Sequence, residues 1–166
     1  MSQIDISSLK TSIKSIFDAA NTTTASPVDL SNGLAKRVQN VFKLNPNSLP
    51  IQASLFPAIT IFIDNKDISQ DGIALNQVNA RRKGELDIKV MGSVWQNTYT
   101  NVSSDDADEE IEQLMENIEQ ILRNNPTLSN NVNWQIPTDC SYHTGILSEE
   151  AHMRAGVLNL RAHIYY

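Results

Sequence analysis

Cys140 is the only cysteine of the chain. No internal disulfide can brace the fold, so stability has to come from packing. Long apolar runs are missing as well. No stretch approaches the ~20 residues that a membrane-crossing helix requires, so no membrane partner is expected. The opening Met1-Ser2-Gln3-Ile4-Asp5 has no basic region followed by an apolar run, so no secretory signal is expected and folding in a cytoplasm is. Positive charge is also scarce: 13 Lys and Arg against 19 Asp and Glu leave a net charge of −6. Attraction to phosphate needs clustered cations, so stable DNA or RNA binding is not expected. Charged residues make up 19% of the chain, below the roughly 25% usual for soluble proteins. Asn, Ser, Thr and Gln fill the gap; they suit a subunit rich in contact surface, and equally an ordinary polar exterior.

Chemical signatures are sparse too. There is no glycine-rich phosphate loop, no GxSxG and no HExxH. Cys140 and His143 form one pair with metal-like spacing, and His152 and His163 follow without paired partners. Zinc takes four close ligands, usually in two pairs, so no metal site is expected. The same Cys140–His143 pair could in principle act as nucleophile and base, but no glycine-rich or strained turn flanks the cysteine; a partly buried structural thiol is the plainer reading. The acidic run Asp105–Glu110 lacks the glycine of a calcium loop and fits the electropositive start of a helix instead.

What is present is enough for one domain. With 166 residues, a compact fold can bury about 70% of the surface its unfolded chain exposes. Residues 5–20 read as an amphipathic helix, with Ile6, Leu9, Ile13, Ile16 and Phe17 on one stripe and Asp5 or Ser7 as cap. Residues 21–36 read as a loop with a turn at Asn32-Gly33. Over 37–44, Val38, Val41 and Phe42 fit a helix face, but Val41-Phe42 could equally begin an extended segment. Pro57 leads into Ala58–Asp64, β-branched and apolar on both faces, a buried central strand. Residues 65–72 carry turn residues and 73–80 could be a strand. Residues 85–96 alternate: Leu86, Ile88, Val90, Gly92 and Val94 on one face, Glu85, Asp87, Lys89, Met91 and Ser93 on the other.

Residues 105–124 give the clearest helix. Ala107, Ile111, Leu114, Met115, Ile118, Ile121 and Leu122 share one stripe. Asp106 and Glu109 have capping-box spacing, and Pro126 prevents continuation. Val132, Trp134 and Ile136 alternate, a loop runs through Pro137, and residues 157–166 close as a strand. The order helix, strands, helix, strands predicts an α+β fold: two layers, a mixed or mostly antiparallel sheet with two helices packed on one face.

Arg81, Arg82 and Lys83 form the only basic cluster, suited to an acidic partner surface or to a solvated hairpin tip. Trp134, Tyr142, Tyr165 and Tyr166 are candidate interface anchors, with core membership the plainer role for Trp134.

Taken together, Phe56-Pro57-Ala58-Ile59-Thr60-Ile61-Phe62-Ile63, the strand Glu85–Trp95, the helix ending Ile118-Glu119-Gln120-Ile121-Leu122-Arg123-Asn124-Asn125-Pro126-Thr127-Leu128, then Asn131-Val132-Asn133-Trp134, Pro137-Thr138-Asp139 and Gly156–Tyr166 resemble the tail terminator family of long-tailed bacteriophages, proteins that join tail to head. The resemblance covers most of the chain from about residue 50, plus the first helix. Residues 21–49 and 141–155 match nothing in it and are expected as inserted loops. It implies a virion protein, assembled in the host cytoplasm, whose copies close into a ring, typically a hexamer. That ring caps the tail tube, docks the neck or head-completion protein, and passes DNA through its lumen without specific binding. The family brings no catalytic residues, cofactor or metal. Another head-tail joining protein, a head completion or adaptor protein with a ring of different number, is the nearest alternative, and a small Cys/His hydrolase the more distant one.

Overall fold

The computed structural model describes residues 5–21, 29–49, 52–70, 82–97, 104–148 and 151–165. In chain order these form α1 (Ile6–Ala20), β1 (Asn40–Phe42), two single 3-10 turns (Pro46–Ser48 and Ala53–Leu55), β2 (Ala58–Gln70), β3 (Arg82–Asn97), α2 (Ser104–Arg123), β4 (Trp134–Ser148) and β5 (Ala151–Tyr165). The strands make one five-stranded sheet in the order β1-β2-β3-β5-β4. Only β1 and β2 run parallel; every other pair is antiparallel. The fold is α+β, with both helices packed against one face of a mixed sheet, as the element order predicts.

The packed face follows from the strand period. Ile59 and Ile61 of β2, Leu86, Ile88, Val90 and Val94 of β3, and Leu158, Leu160, Ala162 and Ile164 of β5 all point to it and are buried. Leu9, Ile13 and Phe17 of α1, at four-residue spacing, meet them together with Ile111, Leu114, Met115, Ile118, Ile121 and Leu122 of the predicted α2 stripe; Ala107, the remaining stripe residue, is buried as well. Each fully buried Val, Leu, Ile, Phe or Met in this set contributes about 1.5–3 kcal/mol. Asp5 caps α1: its carboxylate accepts from the Ser7 amide at 2.9 Å and from the Ser8 hydroxyl. α2 already runs from Ser104, so Asp106 lies within its first turn and not at its cap. At the far end, the Gln135 side chain donates to the Leu122 carbonyl at 2.6 Å and Asn125 to Ile121 at 2.8 Å, which satisfies carbonyls that the helix leaves open. Leu128, Ser129 and Asn130 then follow with φ of 46°, 58° and 65°. Burial of Leu128 and the Asn131 side chain, which donates to the Leu128 carbonyl at 2.9 Å, hold this left-handed turn in place.

Gly92 and Gly156 are register partners on the packed face. A Cβ on Gly156 would lie 2.5 Å from Met115 Cγ and 2.8 Å from its Sδ; one on Gly92 would lie 2.8 Å from the same Sδ. The glycine pair is thus a shallow seat for Met115, and it lets α2 approach the sheet.

The opposite face is divided. At one end, the irregular segment around the two 3-10 turns covers it: Leu49, Phe56, Ala58, Met91 and Ala155 form a second apolar cluster, and Phe56 lies 5.7 Å from Trp95 between ring centroids. Met91 and Ser93, which alternation alone places on a polar face, are buried there. At the other end the face is open.

Several boundaries differ from expectation. β2 continues to Gln70 through a bulge between Ile63 and Asn65, where turn residues were expected. The loop expected after Pro137 and the inserted loop expected at 141–155 are replaced by a long hairpin: residues 141–148 belong to β4 and 151–155 to β5. Two bulges, at Pro137/Asp139 and Ile146/Ser148, interrupt the alternation that would have revealed it. Within 21–49, the extended alternative for Val41-Phe42 holds, as β1. The strand expected at 73–80 lies outside the described residues.

Gly156→Ala should lower the unfolding free energy by about 1–3 kcal/mol through overpacking against Met115. Gly145→Ala, where the nearest atom to the new Cβ is 3.8 Å away, should change it by less than about 0.5 kcal/mol. Urea unfolding of both variants reads the difference; equal midpoints would show that the glycine pair does not set the helix–sheet distance.

Candidate interaction surface

β4 is the outermost strand of the sheet, and among the described residues no strand pairs with its outer side. Such an edge presents unpaired backbone donors and acceptors, and proteins commonly guard it with lysine or cover it. Between Trp134 and Ser148 there is no lysine or arginine. Instead the strand carries the exposed large apolar side chains of the described residues: Trp134, 39% exposed, Ile136, 48%, and Tyr142, 51%. Trp134 is therefore a surface residue, not a core one.

The register sets where each of these points. Trp134 faces His163 and Ile136 faces Arg161, so both stand on the open face. Tyr142 faces Gly156 and stands on the helix-covered face. Beside it runs an acidic ridge of α2. Glu112 and Glu116 lie near enough to Tyr142, and Glu119 near enough to Cys140, to raise the pKa of each. Burial is the larger cause in both cases: it pushes the Tyr142 hydroxyl up to about 12 and raises the Cys140 thiol. Glu112 and Glu116 are exposed. Asp108, at the start of the ridge, pairs with Arg154 of β5 at 2.9 Å, and Arg154 also donates to Thr144. These residues and His143 line a shallow groove of about 290 Å³.

The open face carries a ladder of charges across β2, β3, β5 and β4. Lys89 pairs with Asp64 at 2.8 Å, Arg161 with Asp87 at 3.5 Å and Lys83 with Glu85 at 2.7 Å. Exposed pairs of this kind contribute about 0–1 kcal/mol each; they balance the face without making it a strong anion or cation site. The hydrogen bond from Lys83, and the nearby His163 and Arg161, hold the Glu85 carboxyl below its usual range. Asn159 and Thr138 do the same for Asp139. His163 is 7% exposed, its ring stacked on Trp134 at 3.8 Å between centroids. Its Nδ1 lies 3.4 Å from Glu85 Oε1, yet its pKa is lowered: burial, Lys83 and Arg161 outweigh the carboxylate. The ring is accordingly read as neutral.

Of the residues singled out in the sequence, Lys83 and Tyr165 are register partners at one end of the sheet. Arg82 and Tyr165 are placed by their strand backbone only, and Arg81 and Tyr166 lie outside the described residues. Cys140 faces Leu158 on the helix side, whereas His143 faces Ala155 on the other. A three-residue step along a strand puts the two on opposite faces, so they do not form a pair. Among the described residues no group of three or more His, Cys, Asp or Glu could hold a metal ion, and no helix is long and apolar enough to cross a membrane. The β4 edge as a whole escaped the sequence reading, because its bulges and its Thr, Asp, Cys and Ser hide the alternation. The chain matches no protein-family model and no curated protein.

A buried neutral histidine couples stability to pH. The folded pKa of His163 lies below the ordinary value of 6.5, so the unfolded chain takes up this proton first as pH falls. Stability should therefore decline from pH 6.5 downward until the folded pKa is passed, ahead of the carboxylate losses nearer pH 4. The urea midpoint should drop between pH 7 and pH 5.5 in the parent chain and drop less in His163→Gln. An equal drop in both would show that His163 is not held neutral.

Proposed function

We propose that this chain is a structural virion protein of the tail terminator kind. Copies close into a ring, a hexamer on the family pattern, which caps the tail tube of a long-tailed bacteriophage and offers a docking surface to the neck or head-completion protein. The observation that carries this reading is the β4 edge: a strand of 15 residues without lysine or arginine that gathers the exposed large apolar side chains of the described residues. A subunit whose work is contact needs such a surface, and a closed ring needs two different flanks of one subunit to meet. The sheet supplies two: the β4 edge, and the β1 edge with α1 above it.

The sequence resemblance supports the same reading through fold-forming motifs. The tube and head contacts are assigned to the end of the sheet where Arg82 and Lys83 enter β3 and Tyr165 ends β5, with Arg81 and Tyr166 adjoining them in sequence. The net charge of −6 suits a lumen through which DNA passes without sticking, since like charge repels phosphate. No catalytic role and no cofactor enter this reading. The opposite-face placement of Cys140 and His143 counts against the hydrolase alternative.

Gold-labelled antibody raised against the purified chain gives a direct test on phage particles that contain it. Label should gather where the tail meets the head. Label on the head shell or along the tail shaft, or intact virions that lack the chain, would overturn the assignment.

A further inference from the structure

The two flanks of the sheet carry opposite charge. On the β4 flank, exposed Glu112 and Glu116 sit one helical turn apart above the edge, next to Tyr142. On the other flank, α1 packs over β1 and β2. Asn131 donates to Ser12 Oγ at 2.8 Å, and Ile16 and Ala20 line one groove with Ile121 of α2, so the side of α1 around Ser12 and Ile16 is turned toward α2. At 100° per residue, Lys10 and Lys14 project from the far side, over the β1 edge. Lys43, directly after β1, reaches the same flank: its Nζ donates to Thr11 Oγ1 at 2.9 Å. Lys14 is balanced by Asp18 at 3.0 Å. Among the described residues no carboxylate forms an ion pair with Lys10 or Lys43, and no lysine or arginine forms one with Glu112 or Glu116.

We infer that the occupant of the β4 edge is the β1 flank of a second copy of this chain, with Glu112 and Glu116 of one subunit facing Lys10 and Lys43 of the next. The inference rests on the ring reading and specifies its joint. A chain of net charge −6 repels its own copies, so association requires matched patches, and these flanks provide them at opposite sides of one sheet. The contact is head-to-tail, because two different surfaces meet; such a contact closes a ring when its rotation divides the full turn. Strand direction agrees. β1 runs parallel to β2, and the antiparallel steps through β3 and β5 leave β4 running against β1, so the neighbour's β1 edge would continue the sheet in antiparallel sense. Tyr142, Ile136 and Trp134 supply apolar area along the joint, and the charges fix register and reject wrong partners.

Charge exchange tests this with the full-length chain. Glu112→Lys with Glu116→Lys leaves both flanks basic, and Lys10→Glu with Lys43→Glu leaves both acidic. Each double variant should keep the parent circular dichroism spectrum and associate roughly tenfold or more weakly in sedimentation equilibrium. An equimolar mixture of the two should regain association, because each variant then offers what the other lacks. So should the single chain carrying all four reversals. Carbodiimide, which joins touching carboxylates and amines, should link Glu112 or Glu116 to Lys10 or Lys43 of another parent chain. If parent chains associate but the reversals have no effect, or the mixture and the fourfold variant fail to recover, the joint is wrong and the ring reading stands. If the parent chain stays monomeric at every concentration, the joint is overturned, while antibody labelling of virions still decides the ring reading separately.

Discussion

Met115 pressed into the Gly92–Gly156 seat is the contact on which the rest of the architecture depends. Two glycines opposite each other in neighbouring strands remove the side chains that would hold a helix away from the sheet. α2 can then bury its stripe against β3 and β5 while its outer residues reach toward β4. This placement has a functional consequence. It brings Glu112 and Glu116 beside Tyr142, so that an acidic ridge and an apolar strand edge lie along one flank. A helix held further off would bury less of the core and carry the ridge away from the edge.

The same packing explains why one edge is left unsatisfied. The helices seal one sheet face, and the segment around the 3-10 turns seals one end of the other. The charge ladder of Lys83, Glu85, Asp87, Lys89 and Arg161 allows the remaining open face to meet water. Among the described residues nothing comparable covers β4. A long strand without lysine or arginine, bearing Trp134, Ile136 and Tyr142 in solvent, is the kind of edge on which the proposed association would form. Bulges at Pro137/Asp139 and Ile146/Ser148 disturb its pleat, which restrains indiscriminate pairing without protecting the edge entirely. A specific neighbour is the economical physical role for such a surface.

Much of this was legible in the residues, where one period dominated. The two-residue alternation of Leu86 to Val94 and the helical stripe from Ala107 to Leu122 each mark the face that packs in the core, and both elements are observed. What could not be read depended on two elements together. β4 hides because its inward positions, buried Gln135 and half-buried Cys140, are not strongly apolar, and because its bulges reset the alternation. β2 past Ile63 hides for the same reason. Met91 and Ser93 are buried only because a distant irregular segment folds across them. The interaction surface was legible only in fragments: Tyr142 and Trp134 were visible as aromatics, but their common edge is a property of strand order, which no local pattern encodes. Cys140 and His143 looked adjacent in sequence, and the pleat separates them.

The central claim is that chains meet along the outer side of β4, and amide hydrogen exchange of that strand tests it most directly. In dilute solution, the alternate β4 amides that point away from β5 should exchange quickly, while those bonded to β5 exchange slowly. In the assembled state the outward set should slow with the rest. Outward amides that exchange just as fast once the protein has assembled would contradict the account, since the subunits would then be joined by some other surface.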